Sequence, residues 1–139
     1  MRVLSCNCRG LGNASTVHNG KKIAHEWKPD FSSLLETQLK GGDAKQTLSK
    51  LGFLDCFEIP RVGLSGGLAL GWNPPWEATI VHSSHFFIHT HIKNHLGDLC
   101  SITFIYGHPV LAQRKLIWEE LESLSNQIHP KWHCIRDFN

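Results

Sequence analysis

Val3-Leu4-Ser5-Cys6-Asn7-Cys8-Arg9-Gly10-Leu11-Gly12 reads as a short strand that runs into a glycine turn. Ser15 or Thr16 is placed to cap the helix that follows. Val17, Gly20, Ile23, Ala24 and Trp27 give that helix an apolar face, and Gly20 weakens it. Pro29 and Asp30 end it, and Phe31–Glu36 is a second strand. Ala44, Leu48 and Leu51 then recur at helical spacing before Gly52. Five strands follow, over Phe53–Ile59, Gly67–Trp72, Glu77–Val81, Phe86–Ile92 and Leu99–Tyr106, with glycines and prolines between or beside them. Ser65-Gly66-Gly67 lacks the Lys-Ser/Thr of a phosphate-cradling loop and reads as a tight turn before its strand. Ile117, Leu121, Leu124 and Ile128 repeat every three or four residues with glutamates between them, which predicts an amphipathic helix ended by Pro130. Trp132–Ile135 is a last strand, followed by Arg136-Asp137-Phe138-Asn139.

This order is neither a doubly wound parallel sheet nor an all-β barrel. It predicts a layered α+β or α/β-sandwich domain over residues 1–139, one that breaks off on an apolar strand and so looks incomplete. The totals agree with a globular domain: 139 residues, 41% hydrophobic and 19% charged. The net charge is only +2, but residues 1–50 hold eight Lys/Arg against four Asp/Glu, while residues 51–139 hold six against eight. A weakly basic first part suits a phosphate-bearing partner without requiring one. The five cysteines are odd in number and form no CxxC pair, so free thiols in a reducing compartment are the simplest account. No secretory leader and no apolar run of membrane-spanning length is present, which predicts a soluble nuclear or cytoplasmic protein with no membrane partner.

Four short stretches fall at predicted strand ends. They are Cys6-Asn7-Cys8-Arg9-Gly10-Leu11, Leu35-Glu36-Thr37-Gln38-Leu39 after Pro29-Asp30, Tyr106-Gly107-His108-Pro109, and Asp137-Phe138-Asn139. Singly each is ordinary turn chemistry; four in order are specific. Their order and spacing resemble the endonuclease/exonuclease/phosphatase superfamily, with its DNase I-like fold. With Ser65–Trp72 added, the chain is most similar to the endonuclease domain of plant non-LTR (LINE-type) retrotransposons, from Leu4 to Asn139. The resemblance implies a Mg²⁺- or Mn²⁺-dependent phosphodiester hydrolase of the DNA endonuclease type, with no small-molecule cofactor. Glu36 would hold the metal. Asn7 would orient that carboxylate or the phosphate, Tyr106 would donate to a phosphate oxygen, Asp137 would orient or deprotonate the attacking water, and Asn139 would hold a phosphate oxygen or the water. Such chemistry needs a hard cation, fixed donors and a carboxylate base.

The chain departs from the resemblance in three places. The family's later catalytic Asp-His pair has no counterpart before Asn139, which predicts a truncated domain, weak or inactive alone and poorly soluble. Arg136 replaces the usual glycine before Asp137 and is expected to pair with it. Cys6 replaces an aromatic residue, a packing change. Three alternatives remain: a non-catalytic retroelement remnant with at most weak nucleic-acid binding, a lipid- or inositol-phosphate phosphatase, and a His-rich metal-binding module. The last draws on ten histidines, with His82, His85, His89, His91 and His95 close together. In the strand Phe86–Ile92, alternation puts Phe87, His89 and His91 on one face, expected to be exposed or half-exposed.

Overall fold

A computed structural model describes residues 1–108, 110–127 and 131–137. The elements are β1 (Val3–Asn7), α1 (Ala14–Trp27), β2 (Phe31–Leu35), α2 (Asp43–Lys50), β3 (Asp55–Ile59), β4 (Leu68–Trp72), β5 (Glu77–Ser84), β6 (Phe87–Lys93), β7 (Leu99–Ile105), α3 (Leu111–Leu124), a 3₁₀ turn (Ser125–Gln127) and β8 (Trp132–Arg136). Two four-stranded sheets result, ordered β1-β2-β4-β3 and β5-β6-β7-β8. Each is mixed. β1 runs parallel to β2 and β7 parallel to β8, while the other pairings are antiparallel. A helix joins the partners of each parallel pair, as parallel neighbours require.

The sheets pack face to face. Phe31, Leu35, Leu68 and Leu70 of the first meet Ile88, Ile92, Ile102 and Phe104 of the second in one buried cluster. Each sheet's outer face carries a helix: Leu34, Ala69 and Phe53 lie against Ala44 and Leu48 of α2, and Phe87 and Ile105 against Ile117, Leu121 and Leu124 of α3. The layered α/β sandwich predicted from element order is therefore the fold observed. Gly71 lets α2 come close, since a Cβ there would stand 2.9 Å from Leu48 Cδ2 and from Phe53 Cγ. The first turn of α2 has no side-chain cap of its own. The Glu58 carboxylate reaches over from β3 and accepts from the Gly42 and Ala44 backbone N–H groups.

Three sequence expectations change. The cap of α1 is Asn13, whose Oδ1 accepts from Thr16 N at 2.7 Å and from Thr16 Oγ1 at 2.8 Å, so Ser15 and Thr16 fall inside the first turn. The apolar face of α1 is not sealed: none of its residues is buried, and Ile23 and Trp27 are exposed. It overhangs β1, the edge strand of its sheet, above a crevice of about 230 Å³ lined by Leu4, Ala24, Leu34 and Leu51. The histidine face of β6 is covered at Phe87 (0% exposed), under α3, and at His89 (1%), while His91 is half-buried as expected.

His89 Nδ1 is 2.7 Å from Thr103 Oγ1, which also accepts from Trp132 Nε1 at 2.8 Å. Burial pushes the His89 imidazole below its ordinary value, and the neighbouring His91 and His82 push the same way. A base whose folded pKa is depressed stabilises the fold above its unfolded value, about 6.5. That contribution is lost as pH falls below it, because the unfolded chain then binds the extra proton. We expect the melting temperature to fall between pH 7.5 and pH 5.5, and His89→Gln to flatten that fall; equal slopes for the two proteins would refute the assignment.

Candidate active site at the strand-end rim

Glu36 and Tyr106 sit one residue beyond the ends of β2 and β7, Asn7 is the last residue of β1, and Asp137 follows β8. Two hydrogen bonds tie these four side chains across the gap between the sheets. The Tyr106 hydroxyl donates to Glu36 Oε1 at 2.5 Å. Asn7 Nδ2 donates to Asp137 Oδ2 at 2.7 Å. Burial pushes the Tyr106 phenol well above its ordinary value, and the hydrogen bond and charge of Glu36, then the charge of Asp137, push it further. Register sets Asn7 beside Leu35 and Arg136 beside Ile105, so the two pairs stand next to each other at one rim. Asn139 lies outside the described residues.

The local backbone explains how Glu36 is held. Its φ is 51°, in the left-handed region that non-glycine residues rarely occupy, and Arg9 (45°) and Gln38 (53°) share that region. Strain of this kind, about 1–3 kcal/mol per residue, persists only where neighbours over-determine the geometry. Here they do. Gly10 N donates to Glu36 O at 2.8 Å and Leu11 N to Thr37 O at 2.8 Å, while Thr37 N donates to Gly67 O at 3.1 Å and Gln38 N to Gly66 O at 2.9 Å. The loop after β1 grips one side of this segment and the turn before β4 the other. Asn7 is fixed likewise, its Oδ1 accepting from Arg9 N at 3.1 Å.

Arg136 does not behave as expected. Its guanidinium lies over the Trp118 ring of α3, 5.4 Å from the centroid. The Asp137 carboxylate is instead engaged by Asn7. Alternation along β8 turns the two side chains to different faces.

Cys6 and Cys8 flank Asn7 and share a face of β1, because side chains two apart along a strand do. The neighbouring Cys8 thiol draws Cys6 down to about 6, against burial and the Asp137 carboxylate, which both raise it. Cys6, with burial, pushes Cys8 up. Cys8 Sγ donates to the Cys6 backbone O at 3.7 Å. Cys6 is also exposed. At pH 7 we expect iodoacetamide to label Cys6 ahead of the other four cysteines, and Cys8→Ala to slow that labelling by roughly tenfold, as the thiolate fraction falls. Peptide mass mapping reads both; uniform labelling would count against a lowered Cys6 thiol.

A cleft of about 430 Å³ opens beside the Glu36–Tyr106 pair, lined further by Gly66, Gly67, His85, Phe86 and His108. From the sequence, His85 is a candidate only for the His-rich metal-binding alternative, and His108 has no role of its own within its stretch. The signal for His108 is its place in Tyr106-Gly107-His108; His85 carries none, because its approach to Glu36 depends on how the sheets stack.

The donors at the rim suit a hard cation. Glu36 and Asp137 offer carboxylate oxygens, and Mg²⁺ commonly takes one or two of these with water and substrate phosphate. Among the described residues no group of three or more His, Cys, Asp or Glu is arranged to hold a metal, which includes the histidines of β5 and β6. Nor is any described helix long and apolar enough to cross a membrane.

No protein-family model and no curated protein matches the chain. Solved structures do. A 3′ phosphatase, NExo, from Neisseria, bound to a product DNA hairpin, superposes with a TM-score of 0.70 at 14% identity over 100% of this chain and 58% of its own length. The endonuclease domain of TRAS1, a telomere-specific non-LTR retrotransposon, gives 0.70 at 11% identity over 98% and 57%. An AP endonuclease from Archaeoglobus fulgidus gives 0.64 at 16% identity over 96% and 56%. The chain thus has the DNase I-like fold of these enzymes and spans rather more than half the length of each. At such identities the likeness carries the fold alone.

Proposed function

We propose that the rim formed by Asn7, Glu36, Tyr106 and Asp137 is part of a Mg²⁺- or Mn²⁺-dependent phosphodiester-hydrolysing site that acts on DNA. The observation that carries this is the pair of hydrogen bonds crossing between the sheets, which gather two carboxylates, a phenol and an amide at one edge. Glu36 would hold the metal; the ion would neutralise charge developing on the phosphate oxygens. Tyr106 spends its one proton on Glu36 Oε1 here; once a cation takes that carboxylate, the phenol, its proton retained by the raised pKa, would be free to turn and donate to a phosphate oxygen instead. Asn7 engages Asp137 Oδ2, which leaves Oδ1 to take a proton from an attacking water. Asn139 would complete the anion contacts.

DNA as substrate, and a retroelement origin of the plant LINE type, are supported by Cys6–Leu11, Ser65–Trp72 and Asp137–Asn139 together; the likeness to TRAS1 adds the fold. We expect this chain to bind DNA better than it cuts it. Two measurements test the reading: fluorescence anisotropy with a labelled DNA duplex, with Mg²⁺ and with EDTA, and nicking of supercoiled plasmid. Metal-dependent binding with little nicking is expected. Binding indifferent to metal would point to a non-catalytic remnant. Robust nicking abolished by Glu36→Gln would keep the site and overturn the low activity.

A further inference from the structure

Building on the proposed DNA-cleaving role, we propose that His108, with His85 beside it, seats the phosphodiester adjoining the one engaged at Glu36, so that the site selects a polynucleotide over a lone phosphate. The geometry of His108 carries this. Val110 N donates to its Nδ1 at 3.0 Å, so the neutral ring bears its proton on Nε2 and presents a donor on its far side. Two further contacts hold the ring and its backbone: Arg114 Nε donates to His108 O at 2.7 Å, and the ring packs edge-on against Phe86, with centroids 5.2 Å apart. A donor fixed before the ligand arrives costs little ordering on binding.

The cleft around it suits a strand that continues past the scissile group. Glu36 is the one carboxylate among its lining residues, and a metal held there would offset its charge. The rest of the lining includes the two imidazoles, the apolar Val62 and Phe86, and Gly66, where an added Cβ would meet open space. Glycine backbone lets a sugar-phosphate chain approach closely. Imidazole N–H groups are apt donors to phosphate oxygens, and a hydrogen bond to a charged acceptor is among the stronger ones. A substrate with a single phosphate would use only the Glu36 end.

The test uses a labelled DNA duplex in Mg²⁺. His108→Ala should weaken binding by roughly tenfold, the loss of one charge-assisted hydrogen bond. His108→Gln, whose amide N–H reaches a similar distance, should recover much of it. A structural role would not reproduce the second readout. Replacing the flanking phosphodiesters one at a time with neutral methylphosphonates should weaken the wild type at one linkage and leave His108→Ala unaffected there. Inorganic phosphate should compete equally against both proteins. If His108→Ala fails to fold, His108→Leu, which has no donor, decides with the methylphosphonate series: undiminished sensitivity at every linkage overturns the proposal. Full binding by a folded His108→Ala, while Glu36→Gln loses its metal dependence, overturns this inference and leaves the proposed function standing. A wild type indifferent to both metal and duplex sinks the two together.

Discussion

Glu36→Gln is expected to abolish the Mg²⁺ dependence of DNA binding and to weaken binding in Mg²⁺ by about a hundredfold. The substitution keeps the shape of the side chain and an oxygen that can accept from the Tyr106 hydroxyl, so the 2.5 Å contact can persist. What it removes is the negative charge, and a hard divalent cation with few protein ligands depends on that charge. Even the outer partners of a metal site change its affinity by 10–100-fold, about the least to expect of a direct ligand. Calorimetric titration with Mg²⁺ reads the metal and anisotropy reads the DNA. Unchanged Mg²⁺ affinity with a native melting curve would remove Glu36 from the site. Tyr106→Phe is the companion: the carboxylate loses its phenolic donor but keeps its charge, so a smaller loss should follow.

Gly67→Ala should cost about 2–4 kcal/mol of stability. The backbone φ there is +88°, where a side chain adds about 1 kcal/mol of strain. The added Cβ would also stand 2.5 Å from Thr37 Oγ1, 3.3 Å from Gln38 N and 3.4 Å from Arg61 N. Overpacking a tight site costs about 1–3 kcal/mol more. Against a typical stability of about 5–15 kcal/mol this is a large fraction. The damage would reach function, because Gly67 O accepts from Thr37 N directly after Glu36. Urea unfolding gives the stability change, and a loss below about 0.5 kcal/mol would show that the turn before β4 relaxes freely. Gly66→Ala is the contrast: it carries the φ strain alone (+79°), with open space around its Cβ.

The elements were legible wherever the signal is local. Strand ends near Asn7 and Tyr106 stood out because glycine closely follows the strand. The turn at Ser65-Gly66-Gly67 was readable from its glycines too, and Val62 and Ser65 do bridge there. Cap choice was less secure. Asn13, Ser15 and Thr16 are all capable caps, and only the chain path selects Asn13. The covering of His89 was not legible, since alternation separates two faces of a strand without saying which is capped. The unsealed face of α1 misled in the opposite direction: its apolar stripe is real, yet α1 overhangs an edge strand.

Taken alone, the sequence determined the alternation of strands and helices, the sandwich class and the strand-end positions of the site residues, because periodicity and turn chemistry act over a few residues. Only the tertiary structure decided which side chains meet. Tyr106 reaches Glu36 across 70 residues of chain and Asn7 reaches Asp137 across 130. Contacts at such separation depend on how one sheet stacks on the other, and no local pattern records that stacking. The same holds for Arg136 turning to Trp118 and for His108 standing beside the rim. Both follow from packing of the second sheet against α3 and the first sheet, a property of the assembled layers.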